Sequence, residues 1–210
     1  MNYIRMVIII LCAAISYVYP MQNDKMHTIQ VLYTFNRAIE KDDLETVKKM
    51  ITQHKSLIRN FKTAPNNDPL CLAIASPLPH ANDIAQELIN RCIRCKRKRP
   101  WRTTYMHFAA EHNKPEVIIA LYKKGVCLNV EDRLYNTPLH IAAKNGYIDL
   151  VEMLLSMGAD SHHLNEWLQT PLHCAAAAKN YEIVQLLIEH KGDMLQKDQF
   201  GITAHDMLEL

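Results

Sequence analysis

Slid along itself, the chain matches at one fixed offset, the interval from Thr104 to Thr137, and this period narrows the possible architectures more than any other feature. Thr104-Tyr105-Met106-His107-Phe108-Ala109, Thr137-Pro138-Leu139-His140-Ile141-Ala142 and Thr170-Pro171-Leu172-His173-Cys174-Ala175 are evenly spaced copies of one motif. Thr203-Ala204-His205-Asp206-Met207-Leu208 starts at the same interval again. The second half of each unit keeps the same register: Val117 to Leu121, Val151 to Leu155 and Val184 to Ile188 carry apolar residues at helical spacing. A unit this small cannot bury its apolar face alone, so its stability has to come from stacking on its neighbours.

Each residue of the recurring motif has a physical reading. Thr137 and Thr170 suit the cap of a helix that begins at the next proline, which needs no amide partner in the first turn. Leu139, Ala142 and Ala143 form a narrow apolar edge, and the small residues let helices approach closely. Gly125 and Gly158 fit a left-handed helix stop. Lys191 stands where the next such glycine is due, and the stop is expected to shift by one residue onto Gly192.

These residues resemble the ankyrin repeat, whose T-P-L-H-x-A signature and period of about 33 residues match most fully at Thr137 and Thr170. Asp68-Pro69-Leu70-Cys71-Leu72-Ala73 looks like a degenerate copy that lies too far ahead of Thr104 for the period, and three extra residues within Ser76 to Asn82 restore the register at Leu88-Ile89. Phe35 to Ile39, then Asp43 to Val47 and Met50-Ile51, look like a divergent first unit. The resemblance implies an all-α solenoid of stacked helix-turn-helix repeats with projecting hairpin loops. About five full units and a truncated sixth would fill residues 21–210. It also implies a protein-binding module that uses its loop tips and inner helix face and needs neither cofactor nor catalytic residue.

Composition agrees with helices. Only 5 glycines in 210 residues disfavour phosphate-cradling loops and turn-dense β folds. A net charge of +2 gives no global mark of a nucleic-acid binder. Residues 1–20 stand apart: Arg5 precedes an unbroken apolar run from Met6 to Ile15, and the next charge is Asp24. This is the pattern of an export leader, with cleavage after Ser16, and the run is short for a bilayer core of ~30 Å. The alternative is a retained anchor extended through Val18, in which case a membrane becomes a partner.

Several groups invite a chemical reading. His107, His140 and His173 recur at the motif position, where an imidazole ties loop backbone and adjacent repeats together by hydrogen bonds. No serine or cysteine nucleophile with a carboxylate orienter accompanies them on one unit. His162-His163 read as a solvated pair, since a metal would need ligands from neighbouring loops. Cys92 and Cys95 have redox or half-zinc-site spacing without a second pair, so a metal or redox protein is the weaker reading and no enzyme is expected. Arg91, Arg94, Lys96, Arg97, Lys98, Arg99 and Arg102 form a basic loop between the second and third units. Such a run is usually a solvated loop, and its functional alternative is an anionic surface or nucleic acid.

One further column appears once the units are aligned. Trp101, Leu134, Trp167 and Phe200 each stand three residues before the motif threonine, a place the ankyrin pattern usually fills with polar residues. Either adjacent tips pack into an apolar ladder, or the column, extended by Tyr135 and Leu168, is a strip on which a partner protein docks. No small-molecule substrate is expected, nucleic acid is the lesser alternative, and the identity of the partner is not encoded in a repeat. The mature protein is expected to lack the leader and to leave the compartment where it is made. Amino-terminal sequencing that returns Met1 from a soluble cytosolic protein would exclude export.

Overall fold

The computed structural model describes residues 23–54, 68–91 and 104–209, with side chains from residue 30 onwards. The apolar leader lies outside the described residues. Helices come in pairs: α1 Asn23–Glu40 with α2 Leu44–Gln53, α3 Pro69–Ala75 with α4 Ala81–Arg91, and α5 Tyr105–Glu111 with α6 Pro115–Lys123. They continue with α7 Pro138–Asn145 and α8 Ile148–Ser156, then α9 Pro171–Ala177 and α10 Tyr181–Glu189, and finally the single α11 Ala204–Glu209. The first helices pack one on the next from α1 through α3, α5, α7 and α9 to α11. Among the second helices, α2 packs on α4, α4 on α6 and α8 on α10. The described residues form no sheet, only an isolated antiparallel bridge between Lys197 and Thr203. No described helix is long and apolar enough to cross a membrane.

Most of these helices are seven to eleven residues long, too short to persist in water on their own. The apolar residues recognised by their period are what hold them. Leu139, Ala142, Ala143, Leu154 and Leu155 are buried, and so are Phe35, Ile39, Val47 and Ile51 of the first pair and Leu88 and Ile89 of the second. One continuous core runs from Val31 to Ala204. Alanines at 109 and 110, 142 and 143, 175 and 176 are almost wholly enclosed, as expected where backbones approach closely along the inner column.

The turns show why the register survives imperfect sequence. Gly125 and Gly158 adopt φ of 78° and 91° after their helices, a left-handed stop. Lys191 adopts φ of 69° at the equivalent place, so the stop does not shift onto Gly192. Gly192 is small for another reason: a Cβ there would come within 2.8 Å of the Leu187 carbonyl oxygen. Asp42, Asn113, Gly146 and Lys179 make the left-handed turn between the two helices of their units. In the second unit the extra residues sit between α3 and α4, where the His80 backbone N–H donates to Asp42 at 3.1 Å and His80 Nδ1 lies 2.8 Å from its carboxylate.

Units are joined by polar groups as well as by the core. Thr104, Thr137 and Thr170 each form a reciprocal capping box with the histidine three residues on. The backbone N–H of each threonine donates to Nδ1 of His107, His140 or His173, at 3.2, 3.1 and 3.2 Å. That nitrogen is therefore unprotonated, and the proton sits on Nε2. Nε2 donates to a carbonyl further along the chain: Asn136 at 2.9 Å, Gln169 at 3.0 Å and Gln196 at 2.9 Å. A second column, Lys114, Tyr147 and Asn180, reaches back to the open carboxyl end of the previous unit's inner helix, a location with orphan carbonyls. Lys114 Nζ donates to Ser76 O at 3.1 Å, Tyr147 Oη to Glu111 O at 3.2 Å, and Asn180 Nδ2 to Ala143 O at 2.8 Å.

Leu154→Ala is expected to destabilise the protein by roughly 2–5 kcal/mol, as truncations of enclosed leucines do, with a loss that spreads to neighbouring units. Urea unfolding monitored by circular dichroism measures it; an unchanged midpoint would contradict the register.

Acid should act through the histidine ladder. Burial pushes the His140 imidazole down to about 4 and lowers His107 as well. Because the folded chain holds these rings neutral while the unfolded chain protonates them near the ordinary 6.5, unfolding takes up protons. The stabilisation from neutral His140 is fully present above about pH 6.5 and is lost as pH falls from there to about 4. The size of the shift makes this loss about 3 kcal/mol. His140→Gln, which keeps an acceptor and a donor, should flatten this part of the stability–pH curve. A curve as steep as that of the parent protein would remove His140 as the cause.

Candidate functional site

The hairpin loops that precede Thr137, Thr170 and Thr203 are built alike from one side-chain oxygen. Asp132 Oδ1 accepts the backbone N–H of Leu134 at 2.8 Å and of Asn136 at 2.9 Å. Asn165 Oδ1 does the same for Trp167 and Gln169, both at 3.0 Å, and Asp198 Oδ1 for Phe200 at 2.8 Å and Ile202 at 3.0 Å. Each loop is closed by a backbone bond from the same residue's N–H, to the carbonyls of Asn136, Gln169 and Ile202 respectively. Burial alone would raise the Asp198 carboxyl, but its hydrogen bonds from Ile202, Phe200 and Gln169 outweigh this and hold it below the usual carboxylate range. The column 132, 165, 198 is the part of the site that the sequence analysis passed over. Its signal was present as Asp or Asn five residues before Thr137, Thr170 and Thr203.

Adjacent loops are fastened to one another by backbone. The Glu166 N–H donates to Leu134 O at 2.8 Å, and the Gln199 N–H to Trp167 O at 3.0 Å. Side-chain amides add two links, Asn165 Nδ2 to Asn136 Oδ1 at 3.1 Å and Gln169 Nε2 to Asp198 Oδ2 at 3.2 Å.

On this scaffold the apolar column lies at equivalent places in successive loops. Leu134 is 39% exposed and Phe200 70%, while Trp167 is half-buried. Their neighbours Tyr135 and Leu168 are 42% and 49% exposed. Tyr135 and Leu168 also adopt φ of 58° and 56°, a left-handed conformation that the third loop gives to Gly201 at φ 77°. For bulky side chains this region is sparsely populated and strained. Trp101, the first member of the column, lies outside the described residues.

The other candidates separate. Arg91 ends α4 and pairs with Glu87, whereas Arg94, Lys96, Arg97, Lys98, Arg99 and Arg102 lie outside the described residues, as do Cys92 and Cys95. His162 and His163 are not simply solvated. His162 Nε2 lies 2.9 Å from Lys191 O, so the ring ties two neighbouring turns together. His163 is mostly covered, with Nε2 3.2 Å from Glu131 and its ring edge-on to His140 at 6.2 Å between centroids. The Cys174 thiol, on α9, is pushed up by burial to about 11, which keeps it protonated and weakly nucleophilic at neutral pH. His107, His140 and His173 have both ring nitrogens engaged in the capping and inter-unit bonds, so the repeating imidazoles are structural.

Comparison with known proteins agrees with this architecture. The model of the family described as ankyrin repeats in three copies matches residues 70–165 and 106–198, which together span more than half of the chain. No curated protein matches the sequence. Proteins built from this repeat typically act as non-catalytic scaffolds for protein–protein interaction. The period, the paired helices, the capping histidines and the family match lead to one conclusion: the chain belongs to the ankyrin repeat family.

Proposed function

We propose that this chain recognises a partner protein through the strip formed by Leu134, Tyr135, Trp167, Leu168 and Phe200, with the adjoining inner helix face as a second contact. The observation that carries the reading is the exposure of large apolar side chains at equivalent positions of consecutive loops. Scattered exposed leucines are ordinary, but a row of them with aromatic members is the composition of an interaction site. The loops are already tied together by backbone and amide hydrogen bonds, so an apolar ladder is not needed to stiffen them. Retaining Tyr135 and Leu168 in a strained conformation, where Gly201 serves in the third loop, supports a use for those side chains beyond the fold.

Two substitutions test this reading, with a shared loss of binding and different effects on stability. Trp167→Ala should leave the thermal midpoint nearly unchanged and weaken capture of a partner by more than ~1 kcal/mol. Leu168→Gly should relieve strain and raise stability by about 1 kcal/mol while weakening the same interaction. Titrations of captured partners against the parent chain and both variants, with melting curves alongside, measure these effects. A large stability loss with unaltered affinity would assign the strip to the ladder.

A further inference from the structure

The spacing and charge of the strip also define what kind of surface covers it. Leu134, Trp167 and Phe200 occupy the same position in three consecutive loops of matching hydrogen-bond geometry. Their separation is set by the stacking of the helix pairs beneath, and packed helices lie roughly 8–10 Å apart. The bonds from Glu166 N to Leu134 O and from Gln199 N to Trp167 O hold the loops to that interval. The strip is therefore a ruler with three apolar marks at steps of about 10 Å. An α-helix rises ~1.5 Å per residue, so residues seven apart are ~10.5 Å apart and lie within ~20° of the same face. An extended strand repeats its face every ~6.6 Å, which falls out of step with the second mark.

The residue just before the second mark, Glu166, is exposed and negative, while Gln199 before the third is exposed and neutral. A surface complementary to this order carries a base beside the apolar residue that meets Trp167. We infer that the occupant of the strip is an amphipathic α-helix of the partner, with apolar residues at i, i+7 and i+14. It places a cation next to the residue on Trp167. This inference rests on the strip being the docking surface proposed above.

The test uses two displayed libraries selected on the full chain. One randomises the face of a helix in a small helical-bundle scaffold, and the other randomises an unstructured twelve-residue peptide of similar apolar content, roughly 40 Å when extended. Binders are screened against the parent chain, Trp167→Ala and Glu166→Lys. The expected result is helical binders enriched in apolar residues seven apart. They should weaken at least about fivefold on Trp167→Ala, and the second-position preference should turn from base to acid on Glu166→Lys. Binders that depend on Trp167 but are extended, or helical with another spacing, overturn the helix while leaving the docking surface in place. If neither library gives a binder that depends on Trp167, while melting curves show the variant folded, the docking surface falls and the helix with it.

Discussion

Contact between neighbouring units is the constraint on which everything else here depends. A helix of seven residues followed by one of nine has neither the length nor the buried area to persist alone. The core supplies the gain, because Leu139, Leu154 and their equivalents are enclosed only when units stack. Polar groups then fix the stacking distance. A histidine Nε2–H has to reach a carbonyl of the following loop, and Tyr147 or Asn180 has to reach the carbonyls that end the preceding inner helix. Buried donors and acceptors left without partners are costly, so a unit that drifted from its neighbour would lose apolar contacts and hydrogen bonds together.

The same logic explains how the ends of the ladder differ. In the second unit Cys71 stands where the later units have histidine, and Tyr105 Oη of the next unit donates to Asp68 at 2.8 Å. In the unit that begins at Thr203, Asp206 takes the histidine position. It accepts from both the backbone N–H and the hydroxyl of Thr203, at 2.8 and 2.7 Å, and returns its own N–H to that hydroxyl at 3.1 Å. The cap is preserved by a carboxylate that has no proton to pass onward, and among the described residues His173 makes the last of the cross-unit imidazole bonds in this row.

Much of this was legible in the sequence because stacking imposes the same demands on every unit, at one fixed interval along the chain. The threonine, the proline, the alanine pair and the histidine recur, each in at least three units, since each answers a local requirement of a unit. Legibility failed where backbone conformation, and not side-chain type, met the requirement. Lys191 takes the left-handed stop that glycine usually supplies, so a search for glycine looked one residue too far along the chain. The loop-closing oxygens were passed over for a related reason: aspartate and asparagine alternate in that column, and only the shared acceptor geometry reveals their common role. His163 read as solvated because its partners, Glu131 and His140, come from the preceding unit at no fixed short spacing.

A loop held in this way can carry side chains that would be hazardous on a looser one. Exposed aromatic and aliphatic residues on a mobile segment collapse onto the nearest apolar surface and lose their orientation, and ordering them on binding would cost entropy for each side chain and its backbone. Here the backbone at Leu134 and Trp167 is clamped twice, by the oxygen within its own loop and by the N–H of the next. The orienting cost is met during folding, and a partner docking as proposed would meet the apolar groups already at their stations. The strain at Tyr135 and Leu168 is tolerable for the same reason, since the two sets of bonds over-determine the conformation that the side chains oppose. On the docking proposal, the interactions that make the solenoid stable are the ones that would make its loop surface selective: the distance between units fixes the distance between the apolar groups, and a surface with the wrong period would meet only one of them.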